Sequence, residues 1–111
     1  MGRLRAAADA LVDQLVDAGI VATADPSVAA ANRPCVLVTP PAIDYTQRTD
    51  TWRLAALSSH PAGTLAAVDE LDQLLDQVEP VLYVEAADPA SYALTAGTVV
   101  PAYLIRVTTS H

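Results

Sequence analysis

Ser58-Ser59-His60 is the stretch of this sequence where a nucleophile type and a base type stand closest together. A hydroxyl becomes a nucleophile when a histidine takes its proton and an acid orients that histidine. Adjacent residues seldom turn their side chains toward one another, and no Gly-x-Ser-x-Gly elbow surrounds these. Followed by Pro61, the trio reads instead as the cap and first turn of a helix. For a metal, the two histidines His60 and His111 and the single cysteine Cys35 lack the spacing of zinc ligands. Asp69, Asp72 and Asp76 share a helical face with Glu70 and Glu79 nearby; three such carboxylates can gather a hard cation, but the pattern is that of a solvated acidic face. Gly2, Gly19, Gly63 and Gly97 stand alone, so no glycine-rich phosphate cradle precedes a helix. These residues point away from an enzyme and name no catalytic residue, cofactor or metal.

The chemistry that remains is that of contact surfaces. Trp52 and Arg53 begin an apolar strand, Arg106 interrupts another, and Tyr45 and Arg48 lie on the connection before Trp52. Trp, Tyr and Arg are the types enriched where proteins bind one another. Trp52 is also the only tryptophan and suits a core equally well. Arg106 alternates away from Tyr103, Ile105 and Val107, which places it on the face opposite the core or beside an acid.

The elements that must position these residues follow from hydrophobic spacing. Leu4, Ala8, Leu11, Leu15 and Ala18 recur every three or four residues, predicting an amphipathic helix over 3–18 with Asp9, Asp13 and Asp17 on its far side and Gly19 ending it. A short strand at 20–24 precedes the Asp25-Pro26 break, and Ala29 to Ala31 suits a turn of helix. Cys35 to Thr39 is a strand stopped by Pro40-Pro41, and 51–58 is the next. Leu65, Val68, Leu71, Leu74, Leu75 and Val78 predict a second helix over 62–79. Asp88-Pro89 reads as a turn, and strands at 91–95 and 99–108 flank an Ala96-Gly97 hairpin signal.

The order αβββαββ predicts a single α+β domain over residues 1–111, with a mixed or mostly antiparallel sheet of four to five strands and two helices packed on one face. The strands at 35–38, 52–57 and 102–107 lack the clean alternation of a strand with one wet face, so both faces of the sheet want cover. Two helices do not suffice, and copies of the same chain are the economical supplement. At 52% apolar residues the chain still has no run of the roughly 18 to 20 needed to span a membrane. The N-terminus lacks the apolar block of a secretory signal, and a lone cysteine within a strand suits a reducing cytoplasm. Net charge −7, with six arginines and no lysine, argues against tight binding to nucleic acid.

The first helix, the segment Arg33 to Pro41, the Trp52-x-Leu54 strand, the helix Ala62 to Val78 and the final strand Pro101 to Val107 together resemble the tail terminator, or tail-completion, proteins of long-tailed bacteriophages. The alanine-rich, lysine-free composition suits a phage of high-GC actinobacteria. The resemblance implies a structural virion protein assembled in the host cytoplasm and resident at the head-tail junction. There it would form a homohexameric ring that caps the major tail tube protein, ends tube polymerisation and offers a surface to the head-to-tail connector. DNA would pass through the acidic lumen without specific binding. A head-to-tail connector or other neck or tail structural protein, and a small cytoplasmic ferredoxin-like regulatory or ligand-binding domain, are the alternatives. The resemblance carries over a role and no site; the interface residues Tyr45, Arg48, Trp52, Arg53 and Arg106 are named from residue type and placement alone.

Overall fold

The computed structural model describes residues 2–61, 63–95 and 98–110. Among them the elements run α1 (Arg3–Asp17), β1 (Ala22–Thr23), α2 (Pro26–Ala31), β2 (Cys35–Val38), β3 (Ala42–Asp44), β4 (Thr49–Leu57), α3 (Leu65–Val78), β5 (Ala86–Thr95) and β6 (Thr98–Ser110). The α+β class and the mixed sheet agree with the sequence. The count and order do not: among the described residues six strands and three helices in the order αβαβββαββ replace the expected four to five and two in the order αβββαββ. Ala62, where the second helix was expected to begin, the Ala96-Gly97 hairpin signal and His111 lie outside the described residues.

The sheet order is β1-β2-β4-β6-β5. Only β1 and β2 run parallel, with α2 as their crossover. β4 is the central strand. Along one edge β2 pairs with its second half and β3 with its first, the two separated by Pro40-Pro41; along the other, β6 pairs with it from Thr49↔Ser110 to Leu57↔Ala102.

α1 and α3 both pack on one face of this sheet, as expected. Leu11 and Leu15 of α1 and Leu71, Leu74 and Val78 of α3 close over Val36, Val38, Trp52, Leu54, Ile105 and Val107. Each fully buried Leu, Ile or Val contributes about 1.5–3 kcal/mol relative to exposure. Gly19, at φ +86, turns the chain so that Ile20 enters the same core; a side chain there would be strained.

The second face corrects the sequence reading. Cys35, Leu37, Ala55, Leu57, Val100 and Ala102 form a separate core that the chain covers itself, with Ala29 of α2 and with Tyr92 and Leu94 of β5 packed against it. Six residues of α2 and a long β5 supply cover that copies of the chain were expected to provide. Half of the apparent surplus of apolar strand is therefore internal.

Two local expectations also fail for identifiable reasons. Asp88-Pro89 is no turn but part of β5, paired with Leu104 and Tyr103. β5 is an edge strand, where the N–H that proline lacks can face away from the ladder. Ser58 to Pro61 does not cap α3: Thr64 does, accepting from Ala67 N through its side chain, while the two serines serve another purpose.

Candidate interaction surface

On β4 the residues Trp52, Leu54 and Ala56 point to the helical face, and Arg53 between them points to the other. On β6 Ile105 and Val107 point to the helices and Arg106 points away. The β4–β6 register then places Arg53 directly opposite Arg106. Directly paired Cβ atoms lie roughly 4.5–5.5 Å apart, so two arginine side chains leave the second face of the sheet from adjacent points and line one depression. The backbone fixes both. Thr39 donates its N–H (3.3 Å) and its hydroxyl to the Arg53 carbonyl, and Glu85 N donates to the Arg106 carbonyl at 2.9 Å.

The two arginines line a shallow depression of about 130 Å³ with Leu104 and Asp88. Asp88 opposes Leu104 in the ladder and so sits diagonal to Arg106, yet among the described residues neither guanidinium forms an ion pair or a side-chain hydrogen bond. The nearby Glu85 carboxylate accepts from the Thr108 hydroxyl instead. Three of the other four arginines have partners: Arg3 meets Asp50, Arg5 meets Asp9 at 3.4 Å, and Arg33 donates to the carbonyls of Ala30 and Ser58. Like charges directly opposed on a ladder are destabilising, by an amount on the order of 1 kcal/mol at an exposed site. An unpaired pair of this kind is where an acidic partner gains most.

The structure divides the remaining sequence-predicted residues. Trp52 is buried (1% exposed) against α1 and cannot form part of an exposed contact surface; its indole N–H donates to Thr109 Oγ1 at 3.0 Å. The reason is periodicity: with Arg53 outward, Trp52 must face the helices. Tyr45 and Arg48 sit on the turn between β3 and β4, both exposed. Asp44 Oδ1 accepts from the N–H groups of Thr46 and Gln47 at 2.9 Å and shapes that turn, while Arg48 takes a left-handed φ of 58°. Five residues of strand, about 16 Å, separate Arg48 from Arg53. Arg53 and Arg106 are thus brought together, and Tyr45 and Arg48 form a separate tip. Leu104 and Asp88 were missed; the alternation of β6 signals Leu104, but Asp88 was hidden by the proline after it.

Ser58, Ser59 and His60 are brought together with Glu70 of α3, and their arrangement is not that of a triad. Ser58 Oγ donates to Glu70 Oε1 at 2.8 Å, Ser59 donates its N–H (2.5 Å) to the same oxygen and its hydroxyl to Oε2 (2.8 Å), and His60 Nε2 lies 3.6 Å from Oε2. A triad needs the imidazole between hydroxyl and acid. Here the carboxylate is the hub: Ser58 Oγ donates to it rather than to an imidazole, and accepts from the backbone N–H of His60. Burial pushes the Glu70 carboxyl up, but the Ser59 N–H, the two hydroxyls and His60 outweigh it and hold it below its ordinary 4.5. The cluster ties the end of β4 to α3. Cys35 is equally unreactive in character: it is buried, its thiol donates to Ala29 O at 3.4 Å, and burial pushes its pKa up despite nearby Arg33.

Among the described residues no group of three or more His, Cys, Asp or Glu is placed to hold a metal ion, and no helix is long and apolar enough to cross a membrane. No protein-family model, curated protein or solved structure matches the chain.

Proposed function

We propose that this chain is a structural subunit of a ring, the tail terminator of a long-tailed bacteriophage. Such a ring would cap the tail tube protein and present its other end to the head-to-tail connector. The observation that carries the assembly part of this reading is the opposed Arg53–Arg106 pair, exposed and without an acidic partner on the half of the sheet the chain leaves uncovered. The phage part rests on the resemblance in element order and proline-flanked strands. A charge of −7 per copy is compatible with a lumen that repels DNA and lets it slide.

The internal second core narrows how such a ring would hold together. Since Leu37, Ala55, Leu57 and Val100 are already buried within one subunit, the contact between subunits is charge-directed rather than a large apolar seam. Native mass spectrometry of the chain, alone and with a phage tail tube protein, tests the reading. A closed ring in either condition is expected. A two-fold dimer, or a monomer in both conditions, overturns it.

A further inference from the structure

Resting on the ring reading, we infer that the Arg53–Arg106 pair of one subunit receives the solvent face of α3 from the next. The first half of α3 carries an unusual surface. Leu65 is 82% and Val68 57% exposed, three residues apart on one face, and Asp69 and Asp72 follow on the same side within a turn. No cationic residue lies on α3, and among the described residues neither aspartate forms an ion pair. α1 is the other acidic helix and fits less well: its Asp9 is already held by Arg5.

The two surfaces complement each other in both charge and polarity. Two guanidiniums side by side can each fork onto a carboxylate, and carboxylates at i and i+3 present a matching pair. Leu104, which lines the depression beside the arginines, supplies an apolar floor for Leu65 or Val68, two exposed aliphatic side chains that are otherwise left in water.

The placement of these surfaces also dictates the kind of assembly. α3 packs on the sheet face that carries Trp52 and Ile105, whereas Arg53 and Arg106 stand on the other. A subunit cannot satisfy itself, and a two-fold pair cannot make both contacts at once. Each contact leaves one free surface at either end, so subunits add head to tail, and a ring requires that the rotation between neighbours closes rather than running on as an open filament.

Charge exchange tests this. Arg53→Glu with Arg106→Glu, and separately Asp69→Arg with Asp72→Arg, should each lower subunit association at least about a hundredfold while leaving the subunit folded, as read by circular dichroism. An equimolar mixture of the two should assemble again, because each supplies the surface the other has reversed, and so should the chain carrying all four changes. Assembly of the wild-type ring should also weaken as salt rises from about 0.01 to about 1 M, where the Debye length falls from roughly 30 to roughly 3 Å.

If the wild type forms rings and the reversals or salt leave them intact, the arginine–α3 contact is refuted and the ring stands. If the reversals dissociate the ring but neither the mixture nor the fourfold variant restores it, the arginines contact a surface other than α3. A wild-type chain that forms no ring, alone or on tube protein, overturns the ring reading itself. Should one reversed variant misfold, the salt titration of the wild type still decides: insensitivity refutes the contact.

Discussion

The guanidinium of Arg3, at the first residue of α1, meets the carboxylate of Asp50, on β4, across 47 residues of chain. Nη1 lies 2.5 Å from Oδ2 and Nη2 3.3 Å from Oδ1, a two-pronged contact, and the Asp50 side chain is buried at 1% exposure. The Arg3 pKa is raised, first by the Asp50 hydrogen bond. This contact pins the start of α1 over Trp52. Arg3→Ala should lower the urea midpoint without changing its slope, because it strips a charged partner from a buried carboxylate. Adding Asp50→Asn to it should cost less than the two single changes summed. Additive losses would show that the two groups do not act as a pair.

Trp52 fills the core where α1 crosses the sheet, so Trp52→Ala should destabilise by about 3–5 kcal/mol and Trp52→Phe by much less. As the only tryptophan, it reports its own burial: native emission should be blue-shifted and should move to the red on unfolding. If Trp52→Phe abolished assembly at full stability, Trp52 would belong to the contact surface after all.

Glu70 links stability to pH with a definite sign. Its folded pKa lies below the ordinary 4.5, so the unfolded chain takes up this proton first and the stabilisation is complete above about pH 5. It is lost as pH falls from 4.5 through the lower folded value. Glu70→Gln should therefore cost about 1–3 kcal/mol at pH 7, and the gap from the wild type should close as acid is added. Urea titrations at neutral and acid pH measure this; a gap that widens in acid would contradict the assignment.

Arg48 holds a left-handed φ of 58° that glycine adopts freely. Arg48→Gly should be neutral or stabilising by up to about 1 kcal/mol, because the strain it relieves offsets the greater freedom glycine loses on folding. A loss above about 1 kcal/mol in thermal unfolding would show that the Arg48 side chain makes a contact that outweighs its strain.

Local patterning determined the elements whose signals lie within one helical turn or one strand alternation. The stripe of α1, its end at Gly19, the apolar β2 and the alternation that sets Arg106 apart from Ile105 and Val107 are legible because helical and strand periods act over neighbouring residues. Asp88-Pro89 misled because the same dipeptide is a turn in isolation and an acceptable strand at a sheet edge, and only the sheet order says which strand is the edge. Likewise Ser58 and Ser59 suit a helix cap until α3 brings Glu70 within reach of both hydroxyls.

The sequence by itself thus determined the α+β class, which strand residues share a face, and the absence of a recognisable catalytic motif. Tertiary structure alone decided three things. It set the register that holds Arg53 opposite Arg106, it buried Trp52, and it folded α2 and β5 over the second face. All three depend on contacts between residues far apart in the chain, where no local period carries information and only the closing of the sheet chooses the partner.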